Sequence, residues 1–220
     1  MVMAQHKRHV VERYEIDTLG APFKVVLLNA VTFNIDPKTG EEKINVPDVN
    51  GLIGAVVRAR VSHPRKLNGK EIRFIRNALG MKANQICKFL DMTPEHFSRC
   101  EKGTKVMAIL SEKMFRLFAH VATYFPDPQD LVDVLNGKTE LSNTDVTRKA
   151  KKPEEMASKF VEQFLTMKIL PAFDTAEELG FELAFQAKDK PRKRAKTKPH
   201  ENEDEWKVPE PVAACAGGRR

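Results

Sequence analysis

The chain changes its hydrophobic rhythm several times. Residues 1–13 are polar, with no periodic apolar face, which predicts a flexible N-terminus. Between residues 14 and 49 the pattern is that of strands. Residues 23–33 (FKVVLLNAVTF) form a run of β-branched and aromatic side chains. Asp36, Pro37 and Gly40 then supply turn chemistry, and residues 43–46 read as the returning strand. Pro47 ends the ladder because it has no N–H to donate. The segment predicts a hairpin or three-stranded antiparallel sheet, too small to stand without a packing partner.

After Asp48 and Asn50, either of which can cap a helix, the rhythm becomes helical. Leu52, Ile53, Val56 and Val57 recur on one face to about residue 61, and the Ser62, His63, Pro64 stretch breaks it. Residues 67–103 (LNGKEIRFIRNALGMKANQICKFLDMTPEHFSRCEKG) read as three short helices. The first, over 70–79, turns Ile72, Ile75 and Leu79 inward, with Phe74 and Ala78 widening the stripe. Arg73, Arg76 and Asn77 are left outside, and Gly80 stops it. The second, over 83–90, buries Ile86, Phe89 and Leu90 and places Cys87 where two helices cross, a position that wants a small side chain. Asp91 and Met92 form the turn, aspartate being among the few residues other than glycine that tolerate a left-handed backbone. Thr93 caps the third helix, Pro94 takes its first position, and Phe97 and Cys100 face inward up to about Lys102.

The helix expected over 111–125 carries more apolar residues than one core-facing stripe uses. The surplus fits either a dimer seam or a face covered by the N-terminal sheet. Asp127 and Pro128 start a further helix that Gly137 stops. Residues 138–153 read as a polar linker, and 154–170 as an amphipathic helix ended by Pro171. Residues 181–185 (FELAF) fit a short strand or the extension of a helix begun at Thr175. From 187 to 220 the composition predicts a disordered charged tail. The expected fold is α+β. A flexible start (1–13) leads to a small antiparallel β unit without metal (14–62) and an all-α unit (63–137). The linker (138–153), a C-terminal helical segment (154–186) and the tail (187–220) follow.

Charge sharpens this picture. The formal net charge is +7, unevenly placed. Between residues 65 and 105 ten Lys/Arg stand against Glu71, Asp91, Glu95 and Glu101, and from 188 to 198 seven stand against Asp189. Clustered positive charge fits a polyanion, most simply nucleic acid. A solvated basic face is the plain alternative, above all for the tail. Cys87, Cys100 and Cys215 make no Cys-x-x-Cys pair, and no two of the six histidines sit beside a third ligand at metal spacing. Neither a disulfide framework, a metal nor another cofactor is expected. No apolar run approaches the length of a membrane span, and the N-terminus has no signal-like apolar stretch. A cytoplasmic, nucleoid-associated protein without membrane contact is therefore expected. With no nucleophile–base pair, phosphate loop or carboxylate cluster, an enzyme is not expected.

Two short helices around a tight turn in a net-positive segment read as a helix-turn-helix DNA-binding unit. The outward face of its second helix carries the candidate base contacts Thr93, Glu95, His96 and Arg99. Arg99 suits a bidentate bond to guanine, and Glu95 suits acceptance from cytosine. Lys82, Asn84, Ser98, Lys102 and Lys105 are the candidate phosphate contacts, which position without specifying. The plain alternative is an ordinary surface helix.

Glu71-Ile-Arg-Phe-Ile-Arg76 followed by Ser98-Arg-Cys-Glu-Lys-Gly103 resembles the Xre/Cro-like domain of the MqsA-type family of zinc-finger/helix-turn-helix antitoxins. The resemblance spans residues 14–125. It implies a dimeric regulator that represses its own promoter and, as an alternative, an antitoxin-like protein that neutralises a toxin-like partner. The zinc-ligand cysteines of the metal-binding branch are absent, so zinc is not carried over. Ala83 stands where a glutamine is frequent, and Cys100 where an aromatic residue precedes the glutamate. The expectation is a sequence-specific, homodimeric regulator of double-stranded DNA, with residues 94–102 in the major groove.

Overall fold

The computed structural model describes residues 9–35, 39–125, 131, 133, 138, 153–171, 179–186 and 205–208. Among these the protein is mixed α/β, with five strands in one sheet and six helices. In chain order they are β1 (His9–Glu15), β2 (Lys24–Ile35), β3 (Glu42–Asn45), α1 (Val49–Ser62), α2 (Gly69–Ala78), α3 (Ala83–Leu90), α4 (Pro94–Glu101), α5 (Ile109–Ala122), α6 (Pro153–Thr166), β4 (Gly180–Gln186) and β5 (Glu205–Lys207). Residues 36–38 of the expected turn, most of the helix expected from Asp127, most of the linker and the basic cluster at 188–198 lie outside the described residues, as does Cys215.

The long strand β2 is the spine of the sheet. β1 and β3 pair with it antiparallel, β1 along residues 26–33 and β3 at residues 32–35. β4 pairs with it in parallel, Val25 opposite Phe181 and Leu27 opposite Leu183, and β5 pairs antiparallel with β4. The purely antiparallel N-terminal sheet expected from the pattern is thus corrected to a mixed one completed from the C-terminal part of the chain. The physical reason lies in β2 itself. Val25, Val26 and Leu27 are buried in succession, which marks a strand covered on both faces rather than a half-exposed hairpin arm.

Other boundaries shift as well. The flexible start expected over 1–13 gives way at His9 to a strand, whose mostly exposed side chains give it little hydrophobic signature. The helical segment expected over 154–186 ends as a helix at Thr166. Leu170 donates to Pro64 O at 3.0 Å and accepts from Lys66 N at 2.9 Å, so the chain leaves the helix to bridge the turn after α1. Phe181 and Leu183 are buried in alternation, so FELAF is a strand. The disordered tail expected over 187–220 contains β5, pinned by Trp206, the single tryptophan of the chain. Its indole N–H donates to Asp48 O at 3.0 Å and its ring lies 5.0 Å from that of Phe185.

Asp48 caps α1 by accepting from Gly51 N at 3.0 Å. One cluster of buried side chains runs from Val25 and Leu27 through Leu52 and Val56 in α1 to Ile72, Ile86, Phe97 and Phe115. Packing is therefore continuous across residues 62 and 63, where the pattern placed a boundary. α5 is covered by α1, α3 and α6. Leu117 and Val121 pack half-buried against the core.

The turn after α1 is held by buried charge. Arg60 and Arg116 are fully buried, as is Glu112, and Glu71 is nearly so. Arg60 forms a two-pronged pair with Glu71, at 2.7 and 2.8 Å, and also donates to Arg65 O and Lys66 O. Arg116 donates to Glu112 and to the carbonyls of Val61 and Arg65. Lys66 Nζ reaches the other oxygen of Glu112 at 2.9 Å. Carbonyls that would otherwise be stranded in the interior thereby gain donors.

Candidate nucleic-acid interface

Residues 67–103 fold as three helices whose ends are set by local chemistry. Asn68 and Glu71 form a reciprocal capping box on α2, satisfying two backbone N–H groups that the first turn leaves open. α3 ends at Asp91, whose backbone is left-handed at φ 50°, and Met92 N donates back to Cys87 O at 2.9 Å. Thr93 Oγ1 accepts from His96 N at 3.2 Å and Pro94 opens α4. The left-handed turn at Asp91, the Thr93 cap and Pro94 at the first position of α4 are as expected from the sequence, and the capping box on α2 is an addition from the structure.

The helices approach closely where the side chains are small. Cys87 and Cys100 are buried, and burial raises both thiols above their ordinary pKa, as befits packing groups rather than nucleophiles. The backbones of α2 and α4 come close at Gly69. A Cβ there would lie 2.5 Å from Glu101 O and 2.6 Å from Cys100 O. Glycine at the start of α2 lets that helix rest on the backbone at the end of α4. Arg76, expected outside, is half-buried instead. It pairs with Glu101 at 2.7 Å and donates to Met81 O at 3.0 Å, tying α2 to α4 a second time.

The outward face is strongly basic. Of the nine candidate contacts, Thr93, Glu95, Arg99, Lys82, Asn84, Lys102 and Lys105 are exposed. Ser98 and His96 are half-buried, and His96 Nε2 is enclosed without a hydrogen-bond partner, so the far edge of that ring is not offered to solvent. The Thr93 hydroxyl already serves the helix cap. Glu71 and Glu101 are taken out of the surface balance by Arg60 and Arg76. What faces solvent between residues 65 and 105 is Lys70, Arg73, Lys82, Lys88, Arg99, Lys102 and Lys105 against Asp91 and Glu95. The exposed excess is thus seven minus two, five positive charges, on these helices and their turns.

Beside this face lies an apolar patch. Val106, Ile109 and Leu110, in the turn after α4 and the first residues of α5, are each at least 60% exposed. No described helix is long and apolar enough to cross a membrane. Comparison of the chain with protein-family models, curated proteins and solved structures finds no match.

Proposed function

We propose that the protein is a sequence-specific DNA-binding transcription regulator in which α3, the turn at Asp91 and α4 act as a helix-turn-helix. The observation that carries this reading is the combination of a left-handed Asp91, a capped α4 and an outward face whose acids, apart from Asp91 and Glu95, are tied up inside. In this reading α4 enters the major groove. Arg99, exposed and without a hydrogen-bond or ion-pair partner for its side chain among the described residues, bonds a guanine edge, and Glu95 accepts from a cytosine. Lys82, Asn84, Lys102 and Lys105 hold phosphates, with Ser98 beside them.

The unit acts as a homodimer, because one short helix reads too few bases and paired half-sites lie about one helical turn (~34 Å) apart. The exposed patch of Val106, Ile109 and Leu110 supplies an apolar seam next to α4. Repression of its own promoter is the regulatory role we assign, by occupation of DNA that polymerase needs.

Selection of duplexes from a randomised pool by the full-length protein tests the reading. A pseudo-palindromic consensus is expected. Recovery of unrelated sequences in proportion to the input pool would remove sequence-specific recognition.

A further inference from the structure

A cavity of about 730 Å³ lies away from the basic face, between α1, the end of α5 and the strands β4 and β5. Its wall includes Arg58 and Ser62 from α1, His120 from α5, and the rings of Tyr124, Phe181 and Trp206. We propose that this cavity binds a planar aromatic carboxylate, with its acid group on the Arg58 guanidinium and its rings against Tyr124, Phe181 and Trp206.

Charge selects the anion. Arg58 has no carboxylate partner among the described residues. One of its terminal nitrogens donates to Thr123 Oγ1 at 3.3 Å, and the guanidinium lies 5.2 Å over the Tyr124 ring. The group is thus oriented while keeping donors to spend, and a planar guanidinium matches a carboxylate two bonds at a time. Lys207 and Glu205, both exposed, line the same cavity and offset one another, which leaves Arg58 as the net charge. Ser62 adds a hydroxyl without a hydrogen-bond partner among the described residues.

Shape and surface select the aromatic body. The Trp206 N–H is committed to Asp48 O, so the small edge of the indole that reaches the cavity is apolar rather than a donor. Tyr124 supplies most of the open ring surface and Phe181 an edge, and rings favour stacked or edge-on partners over flexible chains. The volume falls in the range of small-molecule sites, roughly 300–1,000 Å³, and leaves room for two or three rings. Both ring nitrogens of His120 are enclosed without a partner, an unmet hydrogen-bonding demand in the wall itself. α1 and α5 also pack on the units that carry the basic face, so a ligand here sits on elements continuous with it.

Calorimetric titration of the full-length protein with 2-naphthoate, without DNA and at neutral pH, tests the site. One binding event per chain is expected. The neutral 2-naphthalenemethanol, and 2-naphthoate on Arg58→Gln, should each bind at least about tenfold more weakly, since a hydrogen bond to a charged group is worth about a tenfold change or more. The aliphatic octanoate keeps the acid group but lacks the rings, and should bind about severalfold more weakly. No heat at millimolar ligand, equal binding of octanoate or of the neutral alcohol, or unchanged affinity in Arg58→Gln would overturn the proposal. The ligand comparison uses the unaltered protein, so it decides the matter even if the variant fails to fold. With no DNA present, the result is separate from the DNA-binding reading.

Discussion

Arg60 at the end of α1 and Glu71 in the first turn of α2 meet in the interior through two hydrogen bonds, at 2.7 and 2.8 Å, with Arg60 fully enclosed. The pair joins the helix that packs on the sheet to the helix that supports α4. Glu71 also accepts from Asn68 N at 2.7 Å, so one carboxylate both caps α2 and neutralises the arginine. Breaking one half of such a pair leaves an uncompensated buried charge. Glu71→Gln is expected to cost about 3–5 kcal/mol of stability by urea denaturation. Arg60→Met should cost no less, because Arg65 O and Lys66 O lose their donors as well. A loss below about 1 kcal/mol in either variant would contradict this role.

Gly69 lies where α2 touches the backbone at the end of α4. Alanine there gains helix propensity but drives its methyl into carbonyl oxygens that cannot move without shifting α4. Gly69→Ala is expected to destabilise by about 1–3 kcal/mol despite the better propensity. A thermal midpoint equal to or above that of the parent would show that the contact has slack.

His120 is enclosed by Tyr124, Phe160 and Phe164, with ring centroids 5.6, 4.3 and 5.3 Å away. Burial, and secondarily the charge of Arg58, push its pKa down from 6.5 to about 4. As pH falls, the unfolded chain takes up this proton first. The stability tied to the neutral ring is therefore complete above 6.5 and lost between about 6.5 and about 4. The loss amounts to about 3 kcal/mol at most for this group. His63, lowered by burial and by Arg60, Arg116 and Arg65, adds to it in the same direction. Denaturant midpoints of the parent and of His120→Phe, measured across this window, should diverge from one another as pH falls. Parallel curves would remove His120 as the cause.

Trp206 gives the C-terminal part of the chain its hold on the sheet. Truncating a ring that is 3% exposed should cost about 3–5 kcal/mol. Trp206→Ala should also release residues 205–207 from β4, which amide exchange at Phe185 and Trp206's neighbours would report as lost protection. Unchanged exchange would mean that the strand pairing holds without the ring.

The chain reveals its local structure more readily than its long-range pairing. The α3–α4 turn was legible because Asp91, Thr93 and Pro94 act on their own neighbours, and each carries a specific backbone preference. The parallel pairing of β2 with β4 joins residues more than 150 positions apart, and nothing in FELAF names its partner. β5 was hidden because a charged composition averages away one tryptophan. The buried ion pairs were hidden for a different reason. Glu112 and Arg116 have the spacing of an ordinary surface pair on a helix, and only the fold turns them inward. The same holds for Glu71 and Glu101, which looked like surface acids and proved to be internal partners. Arg76 and the half-buried Arg65 and Lys66 leave the surface with them, so the exposed excess between residues 65 and 105 is five, against six counted along the sequence.

The most direct test of the central claim compares Arg99→Ala and Lys102→Ala by fluorescence anisotropy on a selected duplex and on a scrambled one, across a salt series. The account predicts that Arg99→Ala loses about tenfold or more on the selected duplex, because a base contact carries discrimination of roughly 1–3 kcal/mol. Its affinity for the scrambled duplex should change far less. Lys102→Ala should weaken both duplexes alike and reduce the salt slope by about one. If Arg99→Ala leaves the preference for the selected duplex intact, α4 is not the reading helix, and the account fails at its centre.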